Sequence, residues 1–273
     1  MSGCLPRQRP RVIVRRISGA HRIKWKAFAF YMANALPEIV RLQKEAFAAL
    51  NEPLEQVQDT CPHGEFLTKT MRANQDSLDA VVFFDLDCIP LKPGVVARAV
   101  RLAVTHGMVI GCAQQANHIE MEKILARRRT MPTLIRKITG ARIRLWTWLG
   151  WDPFYFPDPL IYAGPCFLVV PTKIYQRVGQ PTLAVTARAD AAGELTIACR
   201  EHGVPVRCLQ PTYCHVPKYK LGNVRRFGPG TVYGHCVFHA FETTVLSNQT
   251  SASLFKKYCE KVISKYGTRP KHA

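Results

Sequence analysis

Ala80-Val81-Val82-Phe83-Phe84-Asp85-Leu86-Asp87-Cys88-Ile89-Pro90-Leu91 is the stretch on which the fold turns. Its first half is an almost unbroken apolar run, the pattern of a strand buried on both faces. Two carboxylates follow at once, Asp85 and Asp87. In a strand, residues two apart share a face. Both side chains are therefore expected to leave the carboxyl end of a buried strand together, where open α/β sheets hold their ligands. Charges in such a place are costly unless a cation compensates them. Hard oxygen donors suit Mg²⁺ or Mn²⁺, and such an ion would bridge a pyrophosphate and neutralise a leaving nucleoside diphosphate.

Two rival readings attach to the same residues. One is a solvated turn with two acids. The other is a HAD-type phosphatase, whose first aspartate is a nucleophile, but the downstream Lys and paired Asp motifs of that class are missing here.

On either side of this stretch, strand and helix patterns alternate. Arg11–Ile17 (RVIVRRI) is β-branched and reads as a first strand. Lys24 to Leu50 is rich in Ala, Leu, Glu and Lys and reads as one long helix, broken or restarted near Pro37. Pro62 opens a helix through Met71, Pro93 opens another through His106, and Met108–Gln114 reads as a second buried strand. Ile161–Pro171 resumes the scaffold, Gly193–Gly203 is helical, Val204–Pro211 is a strand, and Ser251–Tyr266 is a closing basic helix. The alternation predicts a single α/β domain with a mostly parallel, doubly wound sheet.

The charge balance points outward. Lys plus Arg total 38 against 19 acids in 273 residues, a formal charge of +19. Such a surplus gathers polyanions at the surface, and a nucleotide substrate alone needs only a few positive charges. Eight basic side chains and no acid lie in residues 1–26, a segment that reads as a transit peptide, a nuclear import signal or a DNA-contacting arm. A second basic segment, residues 118–151, holds Lys123, Arg127, Arg128, Arg129, Arg136, Lys137, Arg142 and Arg144, with Trp146, Trp148 and Trp151 at its end. It reads as a basic helical or loop insertion over the active face. Its cations suit phosphates and its tryptophans suit bases. An amphipathic helix packed on the core, or one lying on an anionic membrane, fits the same pattern.

Ten cysteines without a single CxxC pair, several of them inside apolar runs, fit buried thiols in a reducing compartment. Cys214-His215 and His235-Cys236 match no standard zinc spacing. No segment reaches the roughly 18 apolar residues of a membrane span. An intracellular protein is therefore expected, and Asn248-Gln249-Thr250 is expected to stay unglycosylated.

The runs HGEFL, AVVFFDLDCIPL, IYAGPCFLVVP, GELTIACREHGVPVRCLQP and VYGHCVFHAFE together resemble small GT-A glycosyltransferases. Among these the resemblance is to the base J DNA glucosyltransferases of kinetoplastids and their bacteriophage relatives. It spans about Pro62 to Val262. It implies a GT-A domain over residues 11–273, with the basic arm at 1–26 and the insertion at 118–151. It also implies a UDP-sugar donor, transfer of glucose to a hydroxymethyl-pyrimidine in DNA, and inversion by a single displacement. The expected location is the nucleus in a eukaryote or the host cytoplasm for a phage. His239 matches the late histidine that completes the metal site in many GT-A enzymes; taken alone it reads equally as a core histidine among aromatics. Asp190 stands before a helix, which it would cap, and matches the carboxylate that serves inverting enzymes as general base. Glu194 is the second choice for that role. Gly164, Pro165 and Cys166 are expected to shape the floor of the sugar pocket. His63 is expected near the nucleotide or simply at a helix start. The rival functions are a GT-A transferase acting on a glycan or glycolipid, and a non-catalytic nucleic-acid-binding protein on the same fold.

Overall fold

The pleat of a strand lets one apolar run feed two cores, and the central strand here does so. The computed structural model describes residues 22–116, 119–126, 161–221, 225–241 and 249–267. In strand β3 (Ala80–Asp85), Ala80, Val82 and Phe84 enter one hydrophobic cluster, while Val81 and Phe83 enter another on the opposite face. Strand β1 (Trp25–Tyr31) does the same with Ala27 and Ala29 against Phe28 and Phe30. Burial on both faces is why neither run shows the polar alternation of a half-exposed strand.

The six-stranded sheet has the order β2-β1-β3-β6-β5-β7. Its other members are β2 (Glu55–Gln58), β5 (Val109–Gln115), β6 (Ile161–Pro171) and β7 (Val206–Leu209). The β1–β2, β1–β3 and β5–β7 pairs are parallel, and β6 alone runs against both its neighbours. The sheet is thus mostly parallel, as expected. Helices α1 (Pro37–Ala49), α3 (Val95–His106) and α7 (Gln249–Tyr266) cover one face through residues such as Phe47, Val100 and Phe255. Helices α2 (His63–Asn74), α5 (Thr172–Arg177) and α6 (Gly193–Glu201) cover the other through Phe66, Tyr175 and Leu195. A further short helix, α4 (Ile119–Ala126), precedes them in the chain order of α5 and α6 and packs on α6.

The expected long helix from Lys24 is corrected. Residues Trp25–Tyr31 are a strand, and only Pro37–Ala49 is helical. Alanine and lysine pull the local preference toward helix. Two alanines and two phenylalanines alternating between two cores override it. Pro37 fits where it stands, in the first helical turn, where its missing N–H is not needed.

A second, antiparallel sheet joins β4 (Cys88–Pro90), β12 (Val237–His239), β11 (Thr231–Tyr233) and β8 (Pro211–Cys214). A hairpin of β9 (Tyr219–Leu221) and β10 (Arg225–Phe227) stands beside it. The Asp85-Leu86-Asp87 stretch is where the chain leaves the first sheet for the second, through a turn at Leu86 and Asp87. The buried Gln43 of α1 clamps this switch, donating from its amide to the carbonyls of Asp85 (2.8 Å) and Cys88 (2.9 Å). Gln56 of β2 in turn donates to the Gln43 carbonyl at 3.0 Å. The strand expected at Arg11–Ile17, residues 1–21 of the basic arm and most of the 118–151 segment, including Arg127, Arg128, Arg129, Arg136, Lys137, Arg142 and Arg144, lie outside the described residues, while Trp25 and Lys26 of the arm belong to β1. No helix among the described residues is long and apolar enough to cross a membrane.

Candidate metal centre

Three elements bring their polar side chains to one point. Asp85 ends β3, Asp87 lies in the turn, and His239 ends β12, which pairs with β4 so that His239 stands opposite Cys88. The His239 Nε2 lies 3.0 Å from Asp87 Oδ1 and 3.5 Å from Asp85 Oδ2. The two carboxylates therefore converge as the spacing predicts, though by a different route. The turn and the crossing to the second sheet aim Asp87, rather than the pleat of one continuous strand. The backbone holds this arrangement, since the Ala240 N–H donates to the Asp87 carbonyl at 2.9 Å.

These groups floor a cavity of about 390 Å³, a size that holds a small ligand. Its walls are Phe30, Tyr31 and Met32 from the end of β1, with His63, Gln114 and Phe241. His63 stands at the start of α2, the plainer of the two expectations, and lines the cavity. Its ring stacks on Phe30 with centroids 5.7 Å apart, and its Nε2 lies 3.3 Å from Asp85 Oδ1. Phe241 packs on His239 at 3.9 Å and holds a positive φ of 63°, an uncommon conformation for a bulky residue and one that collects at functional sites.

Burial and mutual charge set the protonation of the cluster. Burial raises the Asp85 carboxyl to about 8, against the opposing pull of His239. For His239, burial disfavours the imidazolium, but the fields of Cys166 and Asp87 outweigh it and hold its pKa well above the usual value. Burial takes His63 the other way, to about 4, so its ring is neutral at pH 7. The cluster thus attracts positive charge at His239, between the carboxylates. Asp85 Oδ1 and His239 Nδ1 are buried with no hydrogen bond, and among the described residues Asp85, Cys166 and His239 bring one ligand atom each within 4.8 Å of one another.

The expected pocket floor is arranged differently. Gly164, Pro165 and Cys166 are not among the cavity's lining residues. A Cβ on Gly164 would stand 2.2 Å from the Gln114 side chain, so the glycine makes room for Gln114 instead of substrate. Gln114 reaches the cavity and is held by the Tyr162 hydroxyl, which donates to its Oε1 at 2.8 Å. Cys166 lies beneath, fully buried, with its sulfur within 4.8 Å of side-chain donor atoms of Asp85 and His239.

Asp190 does not cap α6. The residue before that helix is Ala192, with a φ of 62°, and no side chain bonds to the helix end. Asp190 instead holds a buried Oδ2 without a hydrogen-bond partner, and its charge is felt by Tyr162, whose hydroxyl burial already pushes up. Glu194 is buried and fully engaged. Arg188 donates to both its oxygens, at 2.6–2.9 Å, and Thr186 donates at 2.7 Å. Burial would raise its pKa, but these donors lower it overall. Gln43, Gln114 and the β1 aromatics are the site residues the sequence reading missed. A polar residue at the end of a buried apolar run was the available signal for Gln114, and a polar residue on the apolar face of a helix was the signal for Gln43.

No family model and no curated protein matches the chain. Among solved structures it is similar to protein A197 of STIV, at 9% identity and a TM-score of 0.39, over 68% of this chain and 82% of that one. It is also similar to a mutant Drosophila β-1,4-galactosyltransferase 7 in complex with manganese, UDP-Gal and xylobiose, at 10% identity and a TM-score of 0.37, over 81% of this chain and 71% of that one.

Proposed function

We propose that this chain is a metal-dependent glycosyltransferase that moves glucose from UDP-glucose to a hydroxymethyl-pyrimidine in DNA. The observation that carries the reading is the meeting of Asp85, Asp87 and His239, from three separate elements, on the floor of one aromatic-walled cavity. The cavity opens at the carboxyl ends of β1 and β3, where α/β sheets hold nucleotides. Asp85, Asp87 and His239 suit Mn²⁺ or Mg²⁺, which when bound neutralises the pyrophosphate of the leaving group. The Phe30–His63 stack and Tyr31 offer a flat wall to a nucleobase.

Asp190 is the proposed general base. Its buried oxygen without a donor keeps a lone pair for the proton of an acceptor hydroxyl. Glu194 is unsuited to that task, because Arg188 and Thr186 already occupy its oxygens. The acceptor is argued from charge. A net +19 exceeds the need of a nucleotide sugar and suits a polyanion such as DNA. Arg127, Arg128, Arg129, Arg136, Lys137, Arg142 and Arg144 are the proposed phosphate contacts.

The test is incubation of the full chain with labelled UDP-glucose, Mn²⁺ and DNA containing hydroxymethyluracil, beside a lipid acceptor. Label in DNA, lost on chelation, is the expected result. Label in lipid alone rejects the DNA acceptor. Absence of both transfer and donor hydrolysis leaves a non-catalytic binding protein and rejects the enzyme.

A further inference from the structure

The sulfur of Cys166 faces the proposed cation site, and nothing in the transferase reading needs it there. We propose that Cys166 is a further ligand of the cation, so that the centre prefers thiophilic divalent transition metals such as Co²⁺ and Zn²⁺ over Mg²⁺. This rests on the cation-site reading above and on nothing about the sugar or its acceptor.

The register of the sheet makes the placement. Strands β3 and β6 pair antiparallel up to Phe84 and Phe167, so the next step of the ladder sets Asp85 beside Cys166. On the other edge of β6 the pairing with β5 jumps. Gly111 pairs with Leu168, and Cys112 pairs with Gly164. Pro165, Cys166 and Phe167 are skipped by β5, a local bulge of the kind that re-aims a side chain beside a functional site. Cys166 Sγ then comes within 4.8 Å of a ligand atom on both Asp85 and His239.

The surroundings suit a metal-bound thiolate. Cys166 is completely buried, as are Cys88 and Cys112 of the same hydrophobic cluster. The Gln114 amide points at the Cys166 sulfur from 3.9 Å. A donor aimed at the sulfur is the kind of outer-shell contact that orients a ligating thiolate. Asp85 and Asp87 alone would favour a hard ion such as Mg²⁺. Adding a thiolate and an imidazole moves the preference to softer metals.

Cobalt reads the sulfur directly. The metal-free full chain is titrated with Co²⁺ and followed by absorption, with Mg²⁺ and Zn²⁺ in competition. The expected result is a near-ultraviolet thiolate-to-cobalt charge-transfer band, displaced by stoichiometric Zn²⁺ but not by a large excess of Mg²⁺. In Cys166→Ser the band is lost while the weaker visible bands of bound Co²⁺ persist. Gln114→Leu keeps the band and weakens binding about 10–100-fold. Bound Co²⁺ without the band in the wild type overturns the sulfur ligand and leaves the cation site standing. No bound Co²⁺ at all overturns both. A band that survives in Cys166→Ser assigns it to another thiol and overturns the proposal. Should Cys166→Ser not fold, Asp85→Asn decides: loss of the band with an unchanged circular dichroism spectrum supports this cluster, and its persistence overturns it.

Discussion

Asp85 and Glu194 are both acids beside the same sheet, and their surroundings are opposite. Glu194 is saturated: one guanidinium grips both oxygens and a hydroxyl adds a third donor. Asp85 sits in a cluster of acids, a thiol and two imidazoles, and its Oδ1 has no hydrogen bond. A buried carboxylate completed by its own protein stabilises the fold. One left incomplete costs stability, and such a cost is tolerated where a ligand supplies the missing charge. The contrast separates an acid that builds the scaffold from one that serves a site.

Asp85→Asn is the sharpest way to break that contrast. Metal-dependent donor turnover is expected to fall by about 1,000-fold or more, the scale of losing a group that stabilises transition-state charge. Above pH 8, where Asp85 is ionised, the metal-free protein is expected to melt at the same temperature or higher, because a buried charge has been removed. A large loss of stability would make Asp85 structural. The pH dependence has a matching sign. Asp85 is raised to about 8 and His239 is raised above its usual value, so the folded state holds extra protons in this cluster. The stability they confer is full at low pH and declines as pH rises through those values. Glu194 is lowered, so its contribution is present at neutral pH and is lost as pH falls. Urea unfolding of the metal-free protein across pH should therefore show a decline as pH rises from the usual carboxyl range to about 8, one that Asp85→Asn reduces. Metal affinity, measured by calorimetry, should rise over the same range as protons cease to compete.

Arg188→Ala tests the other member. It strips the saturated acid of its main donor and is expected to cost about 2–3 kcal/mol, read from the denaturant midpoint. The guanidinium is half exposed, which keeps the figure below that of a fully buried pair. Metal affinity should not move.

Gln43→Leu lies between the two classes. It leaves the Asp85 and Cys88 carbonyls without their donor and is expected to cost about 2 kcal/mol. Because those carbonyls flank the turn that aims Asp87, metal binding should also weaken, by about tenfold. A stability loss with unchanged metal affinity would reduce Gln43 to a scaffold residue.

Much of the sheet and half of the centre were legible in the sequence, for identifiable reasons. Val81–Phe84 and Ile161–Pro171 are long apolar runs, and such runs are read with little help from the rest of the chain. Asp85 and Asp87 stand out because they interrupt one. Trp25–Tyr31 misled because its alanines and lysine favour helix locally, and only pairing with distant β2 and β3 makes it a strand. The role of Cys166 depends on a register jump between β5 and β6, which no local pattern encodes. Asp190 looked like a helix cap because it precedes α6, yet the chain turns through Ala192 first. Contacts set by topology are invisible to a reading that moves along one strand at a time.

Gly164 marks the smallest effect and the finest division between scaffold and site. Its missing Cβ is filled by Gln114, which Tyr162 fixes on one side and which faces the cavity on the other. In Gly164→Ala the new methyl stands in the path of a side chain, not of the backbone, so Gln114 is expected to swing away. The loss of stability should be about 1 kcal/mol, the low end for overpacking. Nucleotide-sugar binding should weaken while metal affinity stays constant, because none of Asp85, Asp87 and His239 touches the glycine's cleared space. Calorimetric titration of metal and of donor separately makes the comparison. If both affinities fall together, the Gln114 wall and the acid cluster behave as one unit, and the boundary between scaffold and site lies further from the cation than Gly164.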